Sequence, residues 1–145
     1  MNDLKRILLA EDNKNDIELT IAALREIHLS NQIDVVHDGN EVLDYLYCRG
    51  KFAERDSGLP IVIMLDIKMP GKDGMEVLED IKNDEELKHI PIVMLTSSSI
   101  DKDILQSYKI GANAYVVKPV DYDGFMDAIR TLGIFWALLN KTSHI

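Results

Sequence analysis

The sequence predicts an α/β fold, a doubly wound (βα)5 domain whose five parallel strands carry helices on both faces, and three observations predict it. Short apolar runs recur along the chain and are continuous rather than alternating, the pattern of strands buried on both faces. Segments of helical periodicity separate them, five of each kind, which is the signature of a parallel sheet with crossover helices. Pro60 and Pro91 stand at the entrances of two runs, where a missing N–H costs least.

The elements follow in order. Strand one is Arg6 to Ala10, and helix one runs from Lys14 to Ile27 with Ile17, Ile21, Leu24 and His28 on one stripe. Strand two is Asp34 to His37. Helix two follows Asp38-Gly39, with Val42, Leu43, Leu46 and Tyr47 apolar and Cys48 as a small hydrophobe within it. Strand three is Ile61 to Asp66, and helix three starts near Gly74 with Val77, Leu78 and Ile81. Strand four is Ile92 to Thr96. Helix four follows, with Ser99 as its N-cap and Ile104, Leu105 and Tyr108 apolar, and Gly111 stops it. Strand five ends at Lys118, and helix five runs from Tyr122 towards Leu139. Right-handed crossovers and short connections favour strand order 2-1-3-4-5, with a switch point between strands one and three.

Two segments stand apart from this economy. Residues 49–59 form an extended polar loop carrying Phe52, either a functional loop or a surface insertion of low cost. In the C-terminal helix, residues 121–140, Phe125, Ile129, Leu132, Trp136 and Leu139 keep helical spacing, while Ile134, Phe135 and Leu138 fall off that stripe. A helix apolar on more than one side predicts a homodimer surface, or back-packing of a bent tail.

Composition narrows the function classes. The 145 residues, 46% hydrophobic and 28% charged, make one ordinary globular domain. A net charge of −9 argues against nucleic acid as a direct partner. Nothing is apolar for long enough to insert in a membrane, and the N-terminus is too short for a secretory signal. Cys48 is the single cysteine, so no intramolecular disulfide forms and a cytoplasmic location fits. His28, His37, His89 and His144 lack ligand spacing.

Strand carboxyl ends gather along one edge of such a sheet, and ligands bind there. Glu11 and Asp12 follow strand one, Asp66 ends strand three, Thr96 ends strand four and Lys118 ends strand five. Carboxylates clustered in a cleft repel one another, and a divalent cation removes that cost; an all-oxygen set suits Mg2+. Asp66 can also attack phosphorus and form an aspartyl phosphate. Mg2+, the Lys118 ammonium and the Thr96 hydroxyl then neutralise the phosphoryl oxygens from three directions. Alone, Glu11-Asp12 reads as a helix start and Thr96 as part of a cap, whereas a bare Asp66 at the end of a buried strand is costly without a purpose.

In this arrangement the chain resembles a response-regulator receiver domain of the chemotaxis-receiver type, over residues 5 to 132. Glu11-Asp12 matches the acidic pair, Asp66 the phosphoacceptor, Asp66-Ile67-Lys68-Met69-Pro70 the turn after it, Thr96 the hydroxyl residue, Tyr115 the switch aromatic and Lys118-Pro119 the basic residue with its cis proline. The lengthened loop and the C-terminal helix with Trp136 resemble the single-domain regulators of bacterial and cyanobacterial phytochromes. The resemblance implies a two-component protein that is not itself an enzyme. A sensor histidine kinase supplies the phosphoryl group, Glu11, Asp12, Asp66 and the Lys68 backbone carbonyl ligate Mg2+, and Thr96 and Tyr115 turn together to switch a protein-binding surface. It also implies that Lys68 and Ser98 tune hydrolysis. About a dozen residues follow Leu132, so the expected output is a downstream protein target or onward transfer in a phosphorelay.

The rivals fit less well. A haloacid-dehalogenase-type phosphatase needs a second Asp two residues after the first, and Lys68 stands there. A flavodoxin-like cofactor binder needs a first loop that cradles phosphate, and Glu11-Asp12-Asn13 repels it. An interaction-only receiver has no use for the complete set of phosphorylation residues.

Overall fold

The structure, a computed structural model, describes residues 6–26, 32–55, 58–97 and 102–132. Its elements are β1 (Arg6–Ala10), α1 (Lys14–Glu26), β2 (Gln32–Val36), α2 (Gly39–Leu46), β3 (Val62–Asp66), α3 (Gly74–Lys82), β4 (Ile92–Thr96), α4 (Lys102–Ile110), β5 (Ala114–Val117) and α5 (Tyr122–Leu132). The strands form one parallel sheet in the order β2-β1-β3-β4-β5, with β2 and β5 at its edges.

Period-2 side-chain alternation splits the apolar strands between two cores. Leu8, Ile63, Leu65, Ile92 and Met94 join α2 and α3 residues on one face. Ile7, Leu9, Met64, Val93 and Leu95 meet α1 and α5 residues on the other. β3 and β4 are buried at every position. Burying a leucine or isoleucine side chain contributes roughly 1.5–3 kcal/mol, so these two strands anchor the sheet. Their rigidity is what holds Asp66 and Thr96 in place.

Several boundaries differ from the sequence expectations. β2 begins at Gln32, two residues early, because Gln32 and Ile33 pair with Arg6 and Ile7, and it ends at Val36 rather than His37. α2 ends at Leu46. Tyr47 is its C-cap, and Cys48 lies outside the helix with φ 53°, so neither belongs to a helical stripe. Tyr47 is 43% exposed and hydrogen-bonds Asp84 through its hydroxyl. The long loop contains a 3-10 turn at Gly50–Phe52 that periodicity did not predict. α4 does end before Gly111, whose φ of 132° suits glycine. Tyr108 is 43% exposed and not core-facing. Phe125 and Ile129 are buried on α5. His28, Ser98, Ser99, the side chains of Ile104 and Leu105, and all calls on 133–145, including Trp136 and the dimer surface at Ile134, Phe135 and Leu138, lie outside the described residues.

Candidate functional site

The carboxyl edge of the sheet opens into a cavity of about 500 Å³ whose lining includes the acids Glu11, Asp12, Asp16 and Asp66, the lysines Lys14, Lys68 and Lys118, and Thr96. Glu11 follows β1 directly; its N–H donates to the Val36 carbonyl at 3.0 Å, which continues the sheet pairing by one residue and leaves the side chain with no exposed surface. Asp12 comes next and is exposed. Asp66 ends β3 at 3% exposure. One carboxylate oxygen from each of Glu11, Asp12 and Asp66 lies within 4.8 Å of the others.

The turn after Asp66 is shaped by close backbone approaches. The Gly74 N–H donates to the Ile67 carbonyl at 2.9 Å, and a Cβ at position 74 would stand 2.1 Å from the Asp66 carbonyl oxygen. Glycine is therefore required for α3 to start against the end of β3. A Cβ at Gly39 would likewise lie 1.9 Å from the Lys72 carbonyl oxygen, so the same turn is pressed against the start of α2. Asp73 and Glu76 close a capping box that fixes where α3 begins. The Lys68 N–H donates to Asp66 Oδ1 at 3.2 Å, which orients that carboxylate, while the Lys68 side chain is exposed.

On the far side, Thr96 ends β4 at 4% exposure, and its carbonyl accepts the Lys118 N–H at 2.6 Å. This bond carries the β4–β5 pairing one step past Val117 and aims the Lys118 side chain back over the sheet edge. The Lys118–Pro119 peptide is cis. The Lys118 ammonium reaches Glu11 Oε1 at 3.1 Å, Asp16 Oδ2 at 3.2 Å and Asp66 Oδ2 at 3.2 Å.

Burial, reinforced by a hydrogen bond and charge repulsion from Asp66, pushes the Glu11 carboxyl up to about 7, although Lys118 and the Asn13 N–H pull the other way. Burial pulls the Lys118 ammonium down, but the combined charges of Asp66 and Glu11 outweigh it and hold Lys118 above the ordinary lysine range. Three carboxylates thus converge on the Lys118 ammonium. Hard oxygen donors at the spacing of Glu11, Asp12 and Asp66 are a donor set that suits Mg2+.

Tyr115 does not line this cavity. It sits half-buried on β5, its ring edge-on to Tyr108 at 6.0 Å between centroids and 79° between planes, beside a second cavity between β5 and α5. Asp16 is the site residue that sequence reasoning missed. It lies in the first turn of α1, where an acid is explained by the helix dipole alone.

The chain is similar in sequence and fold to known proteins. The sequence profile of the family described as the response regulator receiver domain matches residues 7–130. Response regulator Rcp1 of Synechocystis sp. is 33% identical over 93% of this chain and 90% of its own length. The bacteriophytochrome response regulator RtBRR superposes with a TM-score of 0.87 at 52% identity, over 94% of this chain and 82% of that one. The Mn2+-bound form of Rcp1 gives a TM-score of 0.74 at 33% identity over 93% and 95% of the two chains. The phosphorylated cyanobacterial phytochrome response regulator RcpA gives 0.74 at 37% identity, over 97% of each chain.

Proposed function

Because this chain belongs to the response regulator receiver family, a signalling module of two-component systems and not an enzyme, we propose that Asp66 is its phosphoacceptor and that a phytochrome-type sensor histidine kinase is the donor. The observation that carries the assignment is the meeting of Asp66, Glu11, Asp12 and the Lys118 ammonium in one cavity at the carboxyl edge of the sheet. The likeness to the bacteriophytochrome response regulator RtBRR and the cyanobacterial phytochrome response regulator RcpA supports the choice of kinase class.

An Asp66 oxygen attacks the phosphorus of a phosphohistidine. The new O–P bond forms as the N–P bond breaks, and the electron pair returns to the imidazole. Glu11, Asp12, Asp66 and the Lys68 backbone carbonyl would hold one Mg2+, which supplies positive charge for the phosphoryl oxygens when bound. Lys118, already 3.2 Å from Asp66 Oδ2, neutralises a second side, and the Thr96 hydroxyl donates to a third. Movement of Thr96 towards the phosphoryl group gives Tyr115 room to leave its edge-on contact with Tyr108. That movement couples the site to the α4–β5–α5 surface as a two-state switch read by a downstream protein. Pairing of two copies through Ile134, Phe135 and Leu138 of the 121–140 segment belongs to the same proposal, and a solution mass equal to one chain at micromolar concentration would exclude it.

Incubation with acetyl phosphate and Mg2+ tests the acceptor. Intact mass should rise by one phosphoryl group, and Asp66→Asn should abolish the gain; labelling that persists in the variant moves the acceptor elsewhere. Transfer from a bacteriophytochrome kinase should outpace transfer from an unrelated histidine kinase, and equal rates would remove the phytochrome assignment.

A further inference from the structure

We propose that Asp16, outside the acidic trio, is a positioning residue for the phosphoryl chemistry: it accepts a hydrogen bond from the Lys118 ammonium and thereby holds that ammonium against Asp66. An ammonium has three protons and no acceptor capacity. In this site the ammonium hydrogen-bonds Glu11 Oε1 at 3.1 Å and Asp16 Oδ2 at 3.2 Å and forms an ion pair with Asp66 Oδ2 at 3.2 Å. Two of those contacts anchor the head of a flexible side chain, and the third faces the atom proposed to carry the phosphoryl group. With Glu11 alone as anchor, the ammonium could rotate about that one contact. A second anchor from α1 removes this freedom before the reaction begins.

Both anchors are themselves held by one short segment. Glu11 Oε2 accepts the Asn13 N–H at 3.1 Å, and Asn13 Oδ1 accepts the Asp16 N–H at 2.9 Å. The turn from β1 into α1 therefore fixes the separation between the two carboxylates that grip Lys118. The helix dipole explains an acid in the first turn of α1, but not a contact with the lysine just after β5, 102 residues away. The Asp16 side chain is 25% exposed, so it can hold the ammonium without an isolated buried charge.

The inference rests on Asp66 being the acceptor, and the test separates the two claims. Beryllofluoride, which mimics an acyl phosphate, is titrated by calorimetry at saturating Mg2+ into wild type, Asp16→Asn and Asp16→Ala. Both variants lose the negative charge equally, but only Asn keeps an oxygen that can accept from Lys118. Binding should be about fivefold weaker in Asp16→Ala than in Asp16→Asn, the size of a partly exposed charged contact. In a Lys118→Met background that difference should vanish, because there is no ammonium left to position. Equal affinities of the Asn and Ala variants in the presence of Lys118, or the same gap without it, would overturn the role of Asp16. A wild type that binds no beryllofluoride, or an Asp66→Asn variant that still does, overturns the acceptor assignment instead.

Discussion

Two regions of this molecule gather charge, and they handle it in opposite ways. At the carboxyl edge of the sheet, Glu11, Asp16 and Asp66 converge on the Lys118 ammonium with Asp12 beside them, and burial with Asp66 nearby lifts the Glu11 carboxyl to about 7. At the β2 edge the charges are matched. Asp34 accepts from the Tyr45 hydroxyl at 2.5 Å and from Gln32 Nε2 at 2.9 Å, with Arg6 Nε at 3.9 Å. The Arg55 guanidinium lies 3.9 Å above the Tyr45 ring and donates to the carbonyls of Tyr45 at 2.8 Å and Gly58 at 3.0 Å. Phe52 meets Tyr45 edge-on at 5.4 Å, so the loop is pinned from both sides. The second region directs its contacts inward, among β2, α2 and the loop, and serves the fold. The first crowds carboxylates at one edge, which is the condition that favours a cation and a reacting group.

The largest test of this contrast lies in the matched region. Tyr45 is 2% exposed and touches Asp34, Phe52 and Arg55 at once. Tyr45→Ala should lose about 3–5 kcal/mol in chemical denaturation, as a buried aromatic truncation that also orphans a carboxylate. Acetyl-phosphate labelling of the surviving folded fraction should persist. A loss below about 1 kcal/mol would show that the cluster is decorative and the contrast false.

The crowded acidic region should respond to pH and metal. The folded Glu11 carboxyl sits near 7 against an ordinary value of 4.5, so the folded protein binds that proton more tightly than the unfolded chain. The sign follows: this group's contribution to stability is fully present below about 4.5 and is lost as pH rises through about 7, on the order of 3 kcal/mol. A cation that requires the ionised form should reverse the trend. In EDTA the denaturation midpoint should fall between pH 5 and pH 8, and Mg2+ should restore it by an amount that grows with pH. A Mg2+ effect independent of pH would mean that Glu11 is not among the ligands.

How much of this could be seen in the chain depends on whether local pattern or tertiary contact decides. Asp66 and Thr96 were legible because each closes a continuous apolar run, and a polar residue at a buried strand end has few other uses. Strand order followed from alternation and handedness. Asp16 was not legible, since an acid in a first helical turn already has a local explanation and its partner comes from just after β5. Gln32 and Ile33 look like loop until β1 offers them partners. Tyr47 continues a helical stripe in one dimension, but Cys48 takes a left-handed backbone and turns the chain away. The 3-10 turn at Gly50–Phe52 has no periodicity to read; the Phe52 contact with Tyr45 places it.

The smallest effect belongs to charge that is matched but exposed. Lys51 reaches Glu41 Oε2 at 2.6 Å, and its side chain is 63% exposed. Burial tends to raise the Glu41 carboxyl, but the Lys51 ammonium and the His37 N–H outweigh it and hold it below the ordinary value. That contribution is present at neutral pH and fades as pH falls through the depressed value. Glu41→Gln keeps an oxygen for the His37 N–H, which donates at 2.7 Å, and removes only the ion pair. Its denaturation midpoint should match wild type within scatter at physiological salt and separate from it only at low ionic strength. A clear loss at high salt would mean that matching at the surface stabilises as matching at Tyr45 does, and that burial is not what distinguishes the strong region from the weak one.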